Sequence, residues 1–280
     1  MVSRKEKYEG DIMRIGNREY DLDNKTYIMG ILNVTPDSFS DGGKWNEHDI
    51  ALSHVEEMIK DGADIIDVGG ESTRPGHIQV SDDEEIARVV PIIEDIRKRF
   101  EVPISIDTYK ATVAEAALQA GAHLVNDVWG FKYDKEIAKV TAKYKVPCCL
   151  MHNKEKAIYG EFLEDVISEL QESIDIAIKA GVAQDKIIID PGVGFGKTYE
   201  QNLAVINQLE RLHELAVPIL LGTSRKSVIG LTLDLPAMER VEGTLATTVI
   251  GVIKGSAFVR VHDVKENKRV IQMTEAILGR

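Results

Sequence analysis

The chain has 280 residues, 44% of them hydrophobic and 29% charged, and a formal net charge of −12. That acidity argues against a nucleic-acid or anionic-membrane surface, while leaving room for a small anion held by a few convergent cations. The length and core content suit one domain over 1–280, and a (β/α) barrel is a natural fit.

Cys148 and Cys149 are adjacent in an apolar run, so on a strand they point to opposite faces. A disulfide framework or a zinc site is therefore not expected, and a reducing, cytoplasmic setting fits better. Residues 1–10 have no apolar core of the kind a signal peptide needs, and no run approaches the length of a membrane span.

Ile12 to Leu22 reads as a β-hairpin turning at Gly16-Asn17, part of an N-terminal extension over 1–26. Beyond it strands and helices alternate. The expected strands are Tyr27–Asn33, Ala63–Gly69, Val102–Asp107, His123–Asn126, Val146–His152, Lys186–Asp190, Val217–Gly222 and Ala257–His262. Most are continuous apolar runs, as parallel strands covered on both faces should be. Among the helical stretches, Ser81 with Glu84 predicts a capping box, and the longest helix spans Phe162 to Ala180 and stops at Gly181. Eight strands each followed by a helix, without a linker, predict an α/β fold: a single (β/α)8 TIM barrel with a short N-terminal β-hairpin. An open doubly wound sheet is the alternative.

In such barrels the site is built at the C-terminal strand ends. Ile28 to Gly43 is the leading example, a strand broken by one amide, Asn33, that opens into a loop of turn-formers around Phe39. The later ends supply Gly70-Glu71-Ser72-Thr73-Arg74-Pro75-Gly76, Asp107, Asn126-Asp127, Met151-His152, Asp190-Pro191-Gly192, Gly222 to Ser227, and Arg260-Val261-His262.

Alternation puts Asp107 on one face with Ser105, and Arg260 on one face with His262. Two cations aimed at one spot would make an anion site, and a rim salt bridge to the neighbouring Asp263 is the competing reading. Asp107, Asn126 and Asp190 should converge in the barrel mouth. A ring edge with adjacent N–H donors, such as an amino-pyrimidinone, would satisfy a buried carboxylate there; pairing with Lys226 or backbone amides is the structural alternative. The glycines of Gly192-Val193-Gly194-Phe195-Gly196-Lys197 match neither a P-loop nor a dinucleotide fingerprint, and are read as admitting a ligand close to backbone, with Phe195 as a stacking ring. The loops after the first two barrel strands, with Asp41, Thr73, Arg74 and Pro75, suit closure over a site. His48, His54, His77, His123 and His213 read as surface or packing residues, and His152 points away from Met151.

Assembled in order, these stretches resemble the dihydropteroate synthases, a pterin-binding family. Asn33-Val34-Thr35-Pro36-Asp37-Ser38-Phe39-Ser40-Asp41-Gly42-Gly43 and Gly69-Gly70-Glu71-Ser72-Thr73-Arg74-Pro75-Gly76 carry most of the likeness, which runs from about Tyr27 onward. The resemblance implies an enzyme that joins a hydroxymethyl-dihydropterin diphosphate to 4-aminobenzoate with Mg²⁺ present, a homodimer, and a target of sulfonamides. It implies that Asp107, Asn126, Met151, Asp190, Phe195 and Lys226 bind the pterin. Phe39, Thr73, Pro75 and Ser227 would bind 4-aminobenzoate, and Asn33, Arg74, Arg260 and His262 the diphosphate. Asn33 would also touch the metal, and Asp41, on the closing loop, would join Lys226, Arg260 and His262 in catalysis. Asp67, Glu71 and Asp127 lie near the site without an assigned role. A methyltetrahydrofolate-binding methyltransferase barrel and a non-catalytic pterin-binding paralogue are the alternatives; the first has no use for a diphosphate site.

Overall fold

The structure is a computed structural model describing residues 12–35, 44–72 and 79–280, of which 44–47 are described as backbone. β1 (Ile12–Ile15) and β2 (Arg18–Asp21) pair antiparallel, with Ile15 opposite Arg18 across the turn. Gly16 takes φ +59° there, and a Cβ on it would lie 2.8 Å from the His123 ring, so that turn needs glycine twice over.

β3 (Tyr27–Asn33), β4 (Ile65–Gly69), β5 (Ile104–Asp107), β6 (Leu124–Asp127), β7 (Cys148–Met151), β8 (Ile187–Asp190), β9 (Leu220–Leu221) and β10 (Phe258–Val261) form one parallel sheet. The order is β8-β7-β6-β5-β4-β3-β10-β9. A parallel bridge between Ile189 and Ile219 joins the two ends, with Ile189 N donating to Pro218 O at 3.0 Å, so the sheet closes and the open-sheet alternative falls.

The surrounding helices are α1 (Lys44–Asp61), α2 (Asp82–Arg99), α3 (Ala111–Ala120), α4 (Glu136–Tyr144), α5 (Phe162–Ala180), α6 (Tyr199–Asn207), α7 (Ser227–Leu233), α8 (Val241–Ile253) and α9 (Val264–Leu278). Every barrel strand is followed by at least one. α5 ends at Gly181 in the left-handed region, as the sequence predicts. The strand near Val217–Gly222 shrinks to two residues, with Ile219 just outside it and its carbonyl shared by the Ala257 and Phe258 amides on the β10 side. At α2 only half the predicted capping box forms: Ser81 Oγ accepts from Glu84 N, while the Glu84 carboxylate takes Arg88. Both halves are present at α6, between Thr198 and Gln201.

The side-chain alternation separates three regions. Outward residues such as Ile28, Ile66, Ile106, Val125, Leu150 and Ile189 pack under the helices. Inward residues at the N-terminal end, among them Met29, Ile65, Leu124, Cys149, Ile188, Leu220 and Phe258, form an apolar plug with Met13, Ile15, Tyr20 and Leu22 of the hairpin. Cys148 and Cys149 divide between these two regions and are both free. Farther along the same inward faces, polar residues take over.

Candidate active site

Toward the C-terminal end the inward positions are Asp67 and Gly69 on β4, Ser105 and Asp107 on β5, Asn126 on β6, Met151 on β7, Asp190 on β8 and Arg260 on β10. All but Arg260 are buried, and the Arg260 side chain is 19% exposed. Arg260 is the pivot. Its Nε donates to Asp67 Oδ2 and its Nη2 to Asp107 Oδ2, each at 2.6 Å, and Asn126 Nδ2 donates to the same Asp67 oxygen at 3.2 Å. The guanidinium is thus salt-bridged, but inside the barrel; Asp263 pairs with Arg225 instead.

This changes the anion-site geometry expected from alternation. Arg260 and His262 do share a face, yet Arg260 is forked between two carboxylates, and His262 Nδ1 meets Ser224 Oγ at 2.9 Å. Ser224 Oγ also accepts from His262 N at 3.2 Å, so one hydroxyl meets both the backbone and the ring of His262. Asp67 Oδ1, Asp107 Oδ1 and Ser105 Oγ are buried with no hydrogen-bond partner among the described residues. Buried acceptors without donors are costly, and such a cluster is what a donor-bearing ligand edge would satisfy.

A second convergence lies over Gly222. A Cβ there would stand 3.2 Å from Asp190 Oδ2, 3.8 Å from Lys226 Nζ and 3.8 Å from Arg260 Cβ. Asp190 Oδ1 accepts from Gly192 N at 2.7 Å. Lys226 Nζ donates to Val193 O at 2.5 Å and lies 4.7 Å from the Phe195 ring centroid. Burial pulls the Lys226 ammonium down to about 8 while the facing Asp190 resists, with Arg260 adding to the depression. Burial likewise pushes the Asp190 and Asp107 carboxyls up, against Lys226 and Arg260 respectively. Tyr109, Val128 and Met151, with Trp129 and Phe195 packed on them, form the apolar wall of this mouth. Asn33 Oδ1 stands on the far side, 3.7 Å from where a Gly69 Cβ would be, opposite Asp107 Oδ2 at 3.6 Å.

Ser227 is exposed at the first residue of α7, directly after Lys226. Phe39, Asp41, Thr73, Arg74 and Pro75 lie outside the described residues, as does His77. Two glycines of 192–196 are required by the protein itself: Cβ atoms at Gly192 and Gly196 would fall 1.8 Å from His152 O and 2.2 Å from Lys154 O, while one at Gly194 would face Lys226 Cδ at 3.3 Å.

The three unassigned carboxylates have clear partners. Asp67 holds Arg260 and Asn126. Asp127 caps the turn after β6, accepting from Trp129 N at 2.7 Å and Phe131 N at 2.8 Å. Glu71 accepts from Tyr109 OH at 2.5 Å and from Lys110 Nζ at 2.6 Å, and Lys110 also reaches Glu85 at 2.8 Å and Val80 O at 2.7 Å. Asp67 was detectable in the sequence: it shares the inward face of β4 with Gly69, one step below the strand end.

The family model for pterin binding enzymes matches residues 29–262. A dihydropteroate synthase of Clostridium beijerinckii is 63% identical over 269 residues, covering 96% of this chain and all of that protein. The dihydropteroate synthase of Clostridium difficile, solved in the presence of pteroic acid, superposes with a TM-score of 0.90 at 52% identity, covering 95% of this chain and 99% of that one. The Xanthomonas albilineans dihydropteroate synthase solved with 4-aminobenzoic acid gives a TM-score of 0.91 at 38% identity over 96% and 99% of the two chains. Matched from the first barrel strand to the last, and end to end by its relatives, the chain belongs to the pterin-binding enzyme family, among its dihydropteroate synthases.

Proposed function

We infer that the chain condenses (7,8-dihydropterin-6-yl)methyl diphosphate with 4-aminobenzoate, giving 7,8-dihydropteroate and diphosphate for folate biosynthesis. The observation that carries the site assignment is the buried Asp107 Oδ1, without a hydrogen-bond partner among the described residues, beside Asp190 and Lys226. Asp107 and Asp190 would accept from the amino-pyrimidinone edge of the pterin, Asn126 and the Lys226 ammonium would donate to its acceptors, and Met151 and Phe195 would enclose its ring.

The C–O bond to the leaving diphosphate breaks with its electron pair on oxygen, leaving a carbocation spread into the pterin. The 4-aminobenzoate nitrogen then attacks that carbon and loses a proton, a dissociative substitution without a covalent enzyme intermediate. Negative charge accumulates on the departing group, so preorganised cations are the main catalytic asset. Arg260 and His262 would stabilise that charge together with Arg74. Asp41 on its loop, and Phe39, Thr73, Pro75 and Ser227 around 4-aminobenzoate, retain the roles that the resemblance implies.

Mg²⁺ belongs to this reading. Asn33 offers an amide oxygen, a donor type this ion takes, and no cluster of three or more His, Cys, Asp or Glu that could hold a metal occurs among the described residues. An ion held by one side chain and otherwise by substrate phosphates suits that donor set; when bound it would neutralise leaving-group charge.

A second copy of the chain is the proposed partner. Leu231, Leu233, Met238, Ile253, Met273 and Ile277 on and beside α7, α8 and α9 are 69, 44, 72, 49, 62 and 72% exposed, apolar positions that pairing with a second copy would cover. No helix among the described residues is long and apolar enough to cross a membrane. The two buried free thiols support the cytoplasm as the working compartment.

The test is an assay of the purified protein with the pterin diphosphate, 4-aminobenzoate and Mg²⁺, beside Lys226→Ala, Arg260→Ala and a chelated sample. Dihydropteroate and diphosphate should form in equal amounts, fall at least about a hundredfold in both variants, and be inhibited by a sulfonamide competing with 4-aminobenzoate. Pterin binding without diphosphate release would overturn the reading.

A further inference from the structure

Behind the pterin wall lies a hydrogen-bonded chain that no step of the reaction uses. Lys197 Nζ donates to Gly192 O at 3.0 Å, to Phe195 O at 3.1 Å and to His152 Nδ1 at 2.7 Å. His152 Nε2 faces Glu169 Oε2, on α5, at 2.9 Å. Since Nδ1 accepts from the lysine, the ring proton resides on Nε2 and goes to Glu169. His152 is only 3% exposed, and burial together with Lys197, Lys132 and Lys154 keeps its imidazole neutral, with its pKa lowered to about 2.

The same short turn meets the site on another edge. Gly192 N donates to Asp190 Oδ1, Val193 O receives Lys226 Nζ, and the Phe195 ring lies under that ammonium. Two lysines therefore bind the backbone of one turn, Lys226 as part of the site and Lys197 from the β7 side. The turn has no slack elsewhere: Gly192, Gly194 and Gly196 have φ +67, +86 and +53°, and two of them abut backbone carbonyls of the loop after β7.

We propose that Lys197, held by His152 and Glu169, is a positioning residue that fixes the Gly192–Gly196 turn and so sets the Phe195 wall and the Lys226 seat against the pterin. This rests on the reading of Phe195 and Lys226 as pterin contacts. Asn202 Oδ1, which accepts from Gly194 N at 2.6 Å, and Tyr159 OH, which donates to Gly196 O at 2.6 Å, also hold the turn, so losing Lys197 displaces it rather than unfolding it.

The experiment compares Lys197→Met, Phe195→Ala and the double variant in the full chain. It measures Kd for 6-carboxypterin by fluorescence and KM for both substrates. Lys197→Met should raise the pterin Kd and the pterin diphosphate KM about tenfold and leave the KM for 4-aminobenzoate within about twofold. The double variant should bind pterin no more weakly than Phe195→Ala alone, because both changes act on one contact. Glu169→Gln should shift pterin Kd in the same direction by a smaller factor, and it decides the matter should Lys197→Met not fold. A pterin Kd unchanged in both variants, equal loss for both substrates, or effects that multiply in the double variant would overturn the proposal. If Phe195→Ala itself leaves pterin binding unchanged, the pocket assignment fails first, and the proposal with it.

Discussion

Arg260 and Asp67 are joined at 2.6 Å in the barrel interior, with Asp67 fully buried and Asp107 taking the other face of the guanidinium at the same distance. A cation shared by two carboxylates is held in one orientation, so Arg260 is delivered to the mouth pre-aimed rather than recruited from solvent. Asp67→Ala leaves both the guanidinium and the Asn126 amide without their shared acceptor. Breaking a buried ion pair from one side costs about 3–5 kcal/mol. Denaturant unfolding should register that loss, and kcat/KM for the pterin diphosphate should fall about a hundredfold. Asp67→Asn, which keeps an acceptor for one partner, should lie between. A wild-type kcat/KM in Asp67→Ala would show that Arg260 needs no such support.

With Lys226 holding the pterin as proposed, the reaction should have an alkaline limit. Its pKa is lowered to about 8 from an ordinary 10.5, so pterin affinity should decline as pH rises through about 8 and the ammonium is lost. Lys226→Arg keeps its charge throughout and should abolish that limb even if its affinity is lower at neutral pH. The folding contribution has the opposite sense. Between pH 8 and 10.5 the unfolded chain binds the extra proton, so stability should rise with pH across that window through this group, and the rise should vanish in Lys226→Met. On the acid side, burial lifts Asp190 and Asp107 above their ordinary values, so the loss of binding at low pH should begin earlier than for a solvent-exposed aspartate, and the residual binding of Asp190→Asn should keep only the part of that loss that Asp107 carries.

The barrel and much of its mouth were legible because parallel strands announce themselves as apolar runs whose interruptions mark the strand ends: Asn33, Asp107, Asn126, Asp190 and Arg260 were all found so. What escaped lay one step deeper or depended on long-range partners. Asp67 is mid-strand, and nothing local reveals that its acceptor serves an arginine 193 positions later. The glycines around Phe195 suggested a ligand cradle, and two of them also admit the carbonyls of His152 and Lys154, a contact between successive loops that spacing alone does not encode. Arg260 and Asp263 are near in sequence but do not pair, since strand alternation turns one inward and leaves the other to Arg225.

The hairpin should matter for folding and not for chemistry. Tyr20 is 1% exposed, its hydroxyl donates to Asp64 O at 3.0 Å, and its ring packs against Tyr27 and Phe258 at centroid distances of 4.8 and 5.7 Å. These contacts close the barrel end remote from Lys226 and Arg260. Tyr20→Ala should cost about 3–5 kcal/mol in unfolding free energy. At a temperature where the variant remains folded, kcat and both KM values should stay within about twofold of wild type. A large KM change in a fully folded sample would mean that the plug transmits its packing to the mouth.

Lys110 poses the sharpest case of a buried charge outside the site. Its side chain is 6% exposed between Glu71 and Glu85, themselves 2% and 1% exposed, and it also binds Val80 O. Removing the cation takes away the ammonium that the two carboxylates share, and burial already raises the Glu85 pKa against the pull of Lys110. Lys110→Met should therefore destabilise by about 3–5 kcal/mol at neutral pH. The deficit should shrink as pH falls and a proton takes the place of the ammonium, because the native variant then binds protons that the unfolded chain does not. Urea titrations of wild type and variant at pH 5 and pH 8 measure this directly. A deficit that is the same at both values would mean that the cluster's cost lies in lost packing and not in charge.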